Sequence, residues 1–241
     1  MDKKIIISLF LSIFAVSCKF FYYSMPRSFK TGIMQEFIYK YDGKETGIDF
    51  LININGYYIA NNYSIDNWIH DTIYGYRYMI FFKDGMFAQD FHSYALNFND
   101  VANFFQDIHD RNTSEFYACE SCNWGRYLIF GDTIKIQYIV RPILYSSNAS
   151  WNAREVWYKM IDTNTILKIF EKPICIKNIE KMHYYEARKL NPVIPLPCTF
   201  VPTDRIPSSN CWLKQEKWFW CNEEDWKNYM DSLKKEKMKK K

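Results

Sequence analysis

The sequence predicts a mainly β protein: an antiparallel up-and-down meander or barrel with one short helix and an extended C-terminal segment. Two observations support this fold class. The 241-residue chain holds 19 Phe, 19 Tyr and 8 Trp but only 8 Gly and 8 Pro, a balance that favours strands. Runs of β-branched and aromatic residues are also separated by Gly-containing turns. The chain is long enough to bury a core, and its 48% of hydrophobic residues excludes a disordered protein.

The first strands are predicted on either side of an Asp-Gly turn. Residues 47–60 are predicted as a strand with a break at Gly56. Residues 74–82 form the next strand and end at Lys83-Asp84-Gly85. The Asp-Gly pair predicts a hairpin into residues 86–91.

Two more hairpins are predicted downstream. Residues 125–140 hold two strands around Gly131-Asp132, because Gly tolerates positive φ and Asp caps its own turn. Residues 155–161 and 166–170 flank the turn Asp162-Thr-Asn-Thr. These strands extend the same antiparallel sheet.

A helix is predicted from Asn99, which can cap it, to His109 or Asp110, packed against the sheet. The apolar residues that recur at helical spacing are Val101, Phe104, Phe105 and Ile108.

The C-terminal third predicts an extended, proline-rich segment. Five of the eight prolines fall between Pro192 and Pro207, so we expect this stretch to wrap the sheet rather than to join it as a central strand. If residues 212–221 form a strand, Trp218 and Trp220 share one face. An amphipathic segment from residue 223 to residue 233 then leads into a lysine tail.

The N-terminus has the pattern of an export signal. Met-Asp-Lys-Lys precedes an apolar run from Ile5 to Val16, which is too short to span a bilayer comfortably. The segment Ala15-Val16-Ser17-Cys18 resembles the lipobox of bacterial lipoproteins, which implies cleavage after residue 17 and diacylation of Cys18. Ala15 and Ser17 also fit ordinary signal peptidase, which would leave Cys18 as an unmodified N-terminus. The residues after Cys18 contain no acidic cluster of the kind that resembles a surface-export signal of lipoproteins. An outer-membrane position facing the periplasm is therefore expected.

Four segments are therefore predicted. Residues 1–17 are a lipoprotein-type signal peptide, 18–46 a tether and lead-in, 47–230 a single β-rich domain and 231–241 a lysine-rich tail. The tail holds six Lys against two acidic residues and so accounts for the whole net charge of +4. The domain itself is neutral, and no nucleic-acid partner is expected. A solvated terminus is the favoured interpretation of the tail, with contact to anionic lipid as the alternative.

Cysteine spacing leaves structural alternatives open. Besides Cys18, six cysteines remain, an even set in an oxidising compartment. Cys119-Glu-Ser-Cys122 is the one close pair; a disulfide or free thiols are favoured over a metal or redox site. Cys198, Cys211 and Cys221 are spaced too widely for a zinc knuckle. No metal and no cofactor is predicted.

Catalytic motifs are not found in the sequence, and no enzymatic activity is predicted. Three His-Asp pairs are candidates for acid-base chemistry, but their spacing in the sequence does not require them to meet in one site. The interval from Gly125 to Gly131 is too long for a phosphate loop, and Asp132 stands where that loop needs Lys. A metal-dependent hydrolase is kept as a lesser alternative. The three pairs are His70 with Asp71, Asp90 with His92, and His109 with Asp110.

The order of these elements resembles that of the lipocalin-like meander lipoproteins of Bacteroidota. The resemblance covers roughly residues 50–172. It rests on the strand opening Gly56-Tyr-Tyr, the hairpins and helix, and the run Trp124-Gly-x-Tyr-x-x-x-Gly-Asp-Thr-Ile134. It implies an up-and-down β-barrel or half-barrel with few exposed edges.

Nine aromatic residues are candidates for lining a ligand cavity. Filling of the core by rings is the alternative interpretation. We therefore expect a cell-envelope lipoprotein, anchored to the membrane through Cys18, that acts as a non-enzymatic binding module for a small apolar or glycan ligand. The alternative is a structural or assembly protein that binds an envelope partner through an apolar patch around residues 218–220. The nine candidates are Tyr57, Tyr58, Trp68, Tyr76, Tyr78, Trp124, Tyr127, Trp218 and Trp220.

Overall fold

The computed structural model describes residues 25–66, 71–89, 123–140, 151–174, 195–204 and 206–239. Eight antiparallel strands form a closed barrel in chain order, in which each strand pairs with the next and the last pairs with the first. The predicted fold class is confirmed, in its closed form. The strands are β1 Gly56–Asp66, β2 Asp71–Phe81, β3 Met86–Gln89, β4 Asn123–Phe130, β5 Thr133–Val140, β6 Asn152–Met160, β7 Thr165–Ile174 and β8 Leu196–Pro202.

The three short hairpin turns lie where turn chemistry predicts them. Gly85 has φ 83° between β2 and β3, and Gly131 has φ 59° between β4 and β5. Between β6 and β7, the Asn164 amide donates to Asp162 Oδ1 at 2.7 Å. Each turn thus relies on a residue type that tolerates or stabilises a reversed backbone.

The first strand was predicted to begin too early. Residues Ile48–Phe50 form a 3-10 turn, and β1 begins at Gly56 instead of breaking there. A Cβ at Gly56 would lie 2.1 Å from the Val201 carbonyl oxygen. Gly56 is therefore required by the close contact of β1 with β8.

The proline-rich segment was expected to wrap the sheet, and this prediction is wrong. Residues Leu196–Pro202 form β8, which pairs with β7 on one side and with β1 on the other. The two pairings are staggered and share only Thr199. Pro197 and Pro202 each have a strand partner on one side only, which reduces the cost of their missing N–H groups.

Strand residues alternate between two apolar clusters. The interior cluster contains at least one side chain from each of the eight strands, so it fills the barrel lumen. Its strand members are Tyr58, Ala60, Met79, Phe81, Phe87, Tyr127, Ile134, Ile136, Tyr138, Val156, Tyr158, Ile166 and Cys198. Ile48 and Ile52 also belong to it. The outer cluster combines outward-facing strand residues with the N- and C-terminal segments. The barrel is therefore packed on both sides of its wall.

The segment 18–46, interpreted as a tether and lead-in, contains a helix that the sequence did not indicate. Helix α1 spans Arg27–Glu36. It is followed by Phe37, Tyr39 and Tyr41, which are buried in the outer cluster. Gln137 Oε1 accepts hydrogen bonds from the Ile38 and Tyr39 amides at 2.9 and 3.3 Å, and this holds the segment against β5.

The C-terminal segment packs beside this N-terminal one. Tyr41 donates its amide to Phe219 O and accepts from the Cys221 amide, both at 2.8 Å. Residues Trp212–Gln215 and Lys217–Phe219 form 3-10 turns, so Trp218 and Trp220 do not lie on a strand. Helix α2 spans Glu223–Lys239 and enters the lysine tail.

The helix predicted over residues 99–110 lies outside the described residues. Within the part of the chain that is described, no helix combines the length and apolar character needed to cross a membrane.

Candidate functional site

The two ends of the barrel differ in their connections. The turns after β2, β4 and β6 are short and lie at one end, called here the closed end. Residues 67–70, 90–122, 141–150 and 175–194 connect strands at the opposite end, called here the open end. Long connections on a rigid scaffold are where binding residues concentrate.

Aromatic rings fill the lumen near the closed end. The Phe81 ring lies 5.8 Å from Tyr58, 5.3 Å from Phe87 and 5.6 Å from Tyr127, measured between centroids. The angles between these rings range from tilted to edge-on, which is favourable for aromatic pairs. Ile48 and Ile52 add to this packing, so the closed end offers no space for a ligand among these side chains.

The tyrosines of the closed end are held by structural hydrogen bonds. Tyr127 Oη donates to Phe82 O at 2.6 Å and lies 2.7 Å from Thr46 Oγ1. Tyr58 Oη donates to Thr163 O at 2.9 Å. Burial raises the pKa of both phenols, so they remain neutral hydrogen-bond donors.

The lumen becomes polar toward the open end. Arg154 Nη1 lies 2.7 Å from Glu171 Oε1, and Lys168 Nζ binds the other oxygen of the same carboxylate. Lys168 pairs with Tyr158, and Glu171 pairs with Val156. Both strand partners belong to the interior cluster, so Lys168 and Glu171 lie on the lumen face of β7.

A β-bulge places these two charges on one face. Residues three apart on a regular strand point to opposite faces. The β6–β7 register shifts between Trp157 and Tyr158, which leaves Ile169 as an extra residue between Lys168 and Glu171. The bulge thereby brings both side chains into the lumen.

Glu171 is ionised over the whole ordinary pH range. Burial disfavours its carboxylate, but the charges of Lys168 and Arg154 and their hydrogen bonds lower the pKa of Glu171 to about 2. The two cations and the anion form a compact network that retains one net positive charge.

Arg77, Tyr138, Tyr158 and Gln89 complete this polar region. Arg77 pairs with Ala60 of the interior cluster, and Gln89 pairs with Met79 of the same cluster. Gln89 hydrogen-bonds to the Tyr138 hydroxyl, whose pKa is raised to about 12 by burial and by Glu171, against the charges of Arg154 and Arg77. These side chains therefore lie close together.

One buried polar atom in this region lacks a partner. Gln89 is 6% exposed, and its Oε1 forms no hydrogen bond. Buried polar groups are nearly always paired, so Gln89 Oε1 marks an incomplete site. Beside it, Tyr158 is 4% exposed, and burial raises the pKa of its hydroxyl well above the ordinary value.

A second polar cluster lies outside the barrel. Asp84 Oδ2 accepts hydrogen bonds from Lys214 at 2.6 Å, Ser209 at 2.8 Å and Tyr41 at 3.0 Å. Lys214 also donates to Ser209 at 3.0 Å, a pairing of the kind used in nucleophilic catalysis. Lys214 donates to both Asp84 and Ser209, so it is not oriented to accept a proton from the Ser209 hydroxyl. The cluster instead joins the β2–β3 turn to the C-terminal segment.

The nine predicted lining residues do not form one group. Tyr58 and Tyr127 lie in the lumen, whereas Tyr57, Tyr78 and Trp124 lie in the outer cluster. Strand alternation already implied this division, because adjacent residues such as Tyr57 and Tyr58 face opposite sides.

The remaining candidates lie at the margin of the described structure. Trp218 and Trp220 are half-buried against the outer cluster. Tyr76 belongs to β2 and pairs with Asn61, but its side chain is outside the described part, as is all of Trp68.

Other predicted chemistry falls partly outside the described residues. Cys119 and Cys122 lie there, as do all four histidines, Asp90 and Asp110. The described ranges contain no group of three or more His, Cys, Asp or Glu side chains that could hold a metal ion. Cys198 and Cys221 are free thiols.

A surface depression of about 530 Å³ lies at the closed end. The described residues that line it are Asn55, Pro202, Thr203, Asp204 and Ile206, of which Asp204 is the charged one. These side chains do not bring several charges together as the lumen does.

Comparison of the chain with protein-family models, with curated proteins and with solved structures returns no match. The fold and the site therefore define a structural class: a closed eight-stranded antiparallel barrel with an aromatic closed end and a charged lumen toward its open end.

Proposed function

We propose that this protein is a cell-envelope lipoprotein that binds a small apolar or glycan ligand in the polar part of its lumen, without catalysing a reaction. The observation that carries the proposal is the unpaired Gln89 Oε1 in the polar part of the lumen. A ligand that donates a hydrogen bond to this atom removes the cost of leaving it unpaired.

The dimensions of the barrel support a small ligand. An eight-stranded barrel encloses little more than its own side chains or one small molecule. The closed half is occupied by rings, so the ligand enters from the open end. There it meets Arg77, Arg154 and Lys168 together with the hydroxyls of Tyr138 and Tyr158.

The envelope address rests on the N-terminal pattern and on the resemblance to lipocalin-like Bacteroidota lipoproteins. Residues 19–26 separate Cys18 from α1, and a fully extended stretch of this length reaches about 25 Å. Two acyl chains on Cys18 give stable anchoring to the membrane. The connecting stretch lets the anchored barrel lie up to this distance from the bilayer surface.

The alternative role in envelope assembly requires an exposed apolar patch. Trp218 and Trp220 are half-buried in the outer cluster rather than displayed. The most exposed large apolar side chain among the described residues is Phe50, at 88%, on the 3-10 turn of the closed end. The buried unpaired Gln89 Oε1 of the lumen favours the ligand-binding role.

Native mass spectrometry of the protein purified from its own cell envelope tests the binding role. We expect a bound species that is lost on denaturation. Ala60→Met narrows the lumen beside Arg77 and lowers the occupied fraction, whereas Ser28→Met on the exposed face of α1 leaves it unchanged. Bare wild-type protein would overturn the binding role.

Palmitate labelling tests the address separately. We expect the wild-type chain to incorporate label and the Cys18→Ala variant to incorporate none. Equal labelling of both proteins, or of neither, would overturn the lipid anchor.

A further inference from the structure

We propose that the ligand carries an anionic group, a carboxylate, sulfate or phosphate, which binds between Arg77 and the Arg154–Lys168 pair in the lumen. This inference rests on the proposed binding function and specifies the chemistry of the same site. It is carried by an excess of positive charge among the described lumen-facing side chains, beside the buried Gln89 Oε1 that lacks a partner.

The cations converge because of the strand register. Arg154 pairs with Tyr138 on β5, and Lys168 pairs with Tyr158 on β6. Arg77 lies on β2, on the far side of β3 and β4, yet its charge acts on the hydroxyls of both tyrosines. The side chains from β2, β6 and β7 therefore face one another across the lumen.

The charges of the described side chains in this region do not cancel. Glu171 is the one anion beside three cations among the described lumen-facing side chains, and Arg154 and Lys168 already share it. Arg77 forms no ion pair with a described residue. Asp71 lies six residues before Arg77 on β2 and pairs with Asp66 of β1, about 20 Å from Arg77 at strand spacing.

An uncompensated charge in a partly enclosed, low-dielectric lumen is costly, and an anion beside it is correspondingly favoured. Arginine is well suited to this role because its planar guanidinium presents several N–H donors to two oxygens at once. The lumen therefore selects ligands by charge as well as by size.

The polar groups of the lumen fit such a ligand. The Tyr158 hydroxyl is a donor that lies among these charges, and an anionic oxygen accepts from it. Gln89 Oε1 is an acceptor, which a hydroxyl group next to the anion satisfies. An acidic or phosphorylated sugar offers both groups, and an alkyl carboxylate offers only the first.

The test measures the affinity of the ligand-free full-length protein for matched probes by calorimetry. The pairs are octanoate with octanol, glucuronate with glucose, and glucose 6-phosphate with glucose. We expect at least one anionic probe to bind about tenfold or more tightly than its neutral match, as a charge-assisted hydrogen bond provides. That affinity falls with rising ionic strength.

Two variants locate the anion, and a third is the control. Arg77→Met removes the charge and keeps most of the aliphatic side chain. We expect it to lower the affinity for the anionic probe about tenfold or more and to leave the affinity for the neutral probe unchanged. Tyr158→Phe weakens it by a smaller factor. Arg27→Met, at an exposed position of α1, is the control and changes nothing. If Arg77→Met fails to fold, Arg77→Lys and Tyr158→Phe provide the comparison.

The outcomes separate the two proposals. Neutral and anionic probes that bind equally well would overturn the anionic ligand and leave the binding function standing. An anionic preference that survives Arg77→Met and Tyr158→Phe unchanged would overturn this location. Failure of every probe to bind, together with bare protein from cells, would overturn both proposals.

Discussion

Lys214 Nζ lies 2.6 Å from Asp84 Oδ2 although the lysine side chain is only 4% exposed. The pair connects the β2–β3 turn to the C-terminal segment, and Tyr41 from the N-terminal segment donates to the same carboxylate oxygen. Three distant parts of the chain thus meet at one anion.

Replacement of Asp84 should destabilise the fold strongly. Asp84→Asn leaves the Lys214 ammonium buried without its counter-charge, which costs about 3–5 kcal/mol. Urea unfolding of wild type, Asp84→Asn, Lys214→Met and the double variant measures this loss. The double variant should recover part of it, and an Asp84→Asn protein as stable as wild type would contradict the role of the pair.

The network around Glu171 should make stability depend on acid pH. The pKa of Glu171 in the folded protein, about 2, lies below that of an ordinary glutamate. The contribution of its carboxylate to the free energy of unfolding is therefore complete above the ordinary pKa. It is lost as the pH falls through the folded value. At neutral pH, Glu171→Gln should be less stable by about 3 kcal/mol.

The measurement is urea unfolding of wild type and Glu171→Gln at a series of pH values. The difference between them should shrink steadily between about pH 5 and pH 2. A difference that stays constant over this range would contradict the lowered pKa.

Gly125 should not tolerate a side chain. A Cβ at this position would lie 2.1 Å from Gln137 O and 2.6 Å from Tyr138 Cα, so Gly125→Ala has to push β4 away from β5. We expect a loss of about 2–3 kcal/mol in the free energy of unfolding.

Gly131→Ala is the matched control for this loss. No atom lies within 4 Å of a Cβ placed there, and the backbone has φ 59°, so the substitution costs only the left-handed conformation, about 1 kcal/mol. Equal losses for the two variants would show that steric contact at Gly125 is not the cause.

The described thiols should differ sharply in reactivity. Cys198 lies in the lumen, and burial raises its pKa to about 12, so little thiolate is available. Cys221 is exposed. Iodoacetamide labelling of the native protein, followed by peptide mass spectrometry, should modify Cys221 early and Cys198 only after denaturation. Early modification of Cys198 would show that the open end admits the reagent.

Hairpin positions were predictable because their turns depend on local chemistry. Gly85 and Gly131 adopt the positive φ that few other residues accept. Strand β8 was not predictable in this way. The effect of Pro197 depends on which edge of its strand is paired at that position. That is a property of the staggered barrel and not of the local sequence.

Helix α1 escaped prediction for a related reason. Its N-cap is Pro26, which makes no side-chain hydrogen bond, and its first turn holds no acidic residue. The helix contributes Ile33 to the outer cluster, so tertiary packing supplies what local signals do not.

The charged part of the candidate site depends on a bulge that leaves no clear trace in the sequence. Lys168 and Glu171 would face opposite sides of a regular strand. By contrast, the sequence alone implies that the adjacent residues Tyr57 and Tyr58 face opposite sides of a strand. This alternation divides the aromatic candidates correctly between the lumen and the outer cluster.

The pairing of Gly56 with Pro202, and of Tyr41 with residues 219–221, has a consequence for the order of events during folding. Hairpins such as β4–β5 join neighbouring residues and can form from local contacts alone. The barrel closes only when residue 202 is in place, and its outer layer only when residue 221 is. A chain that stops before β8 therefore cannot close its barrel.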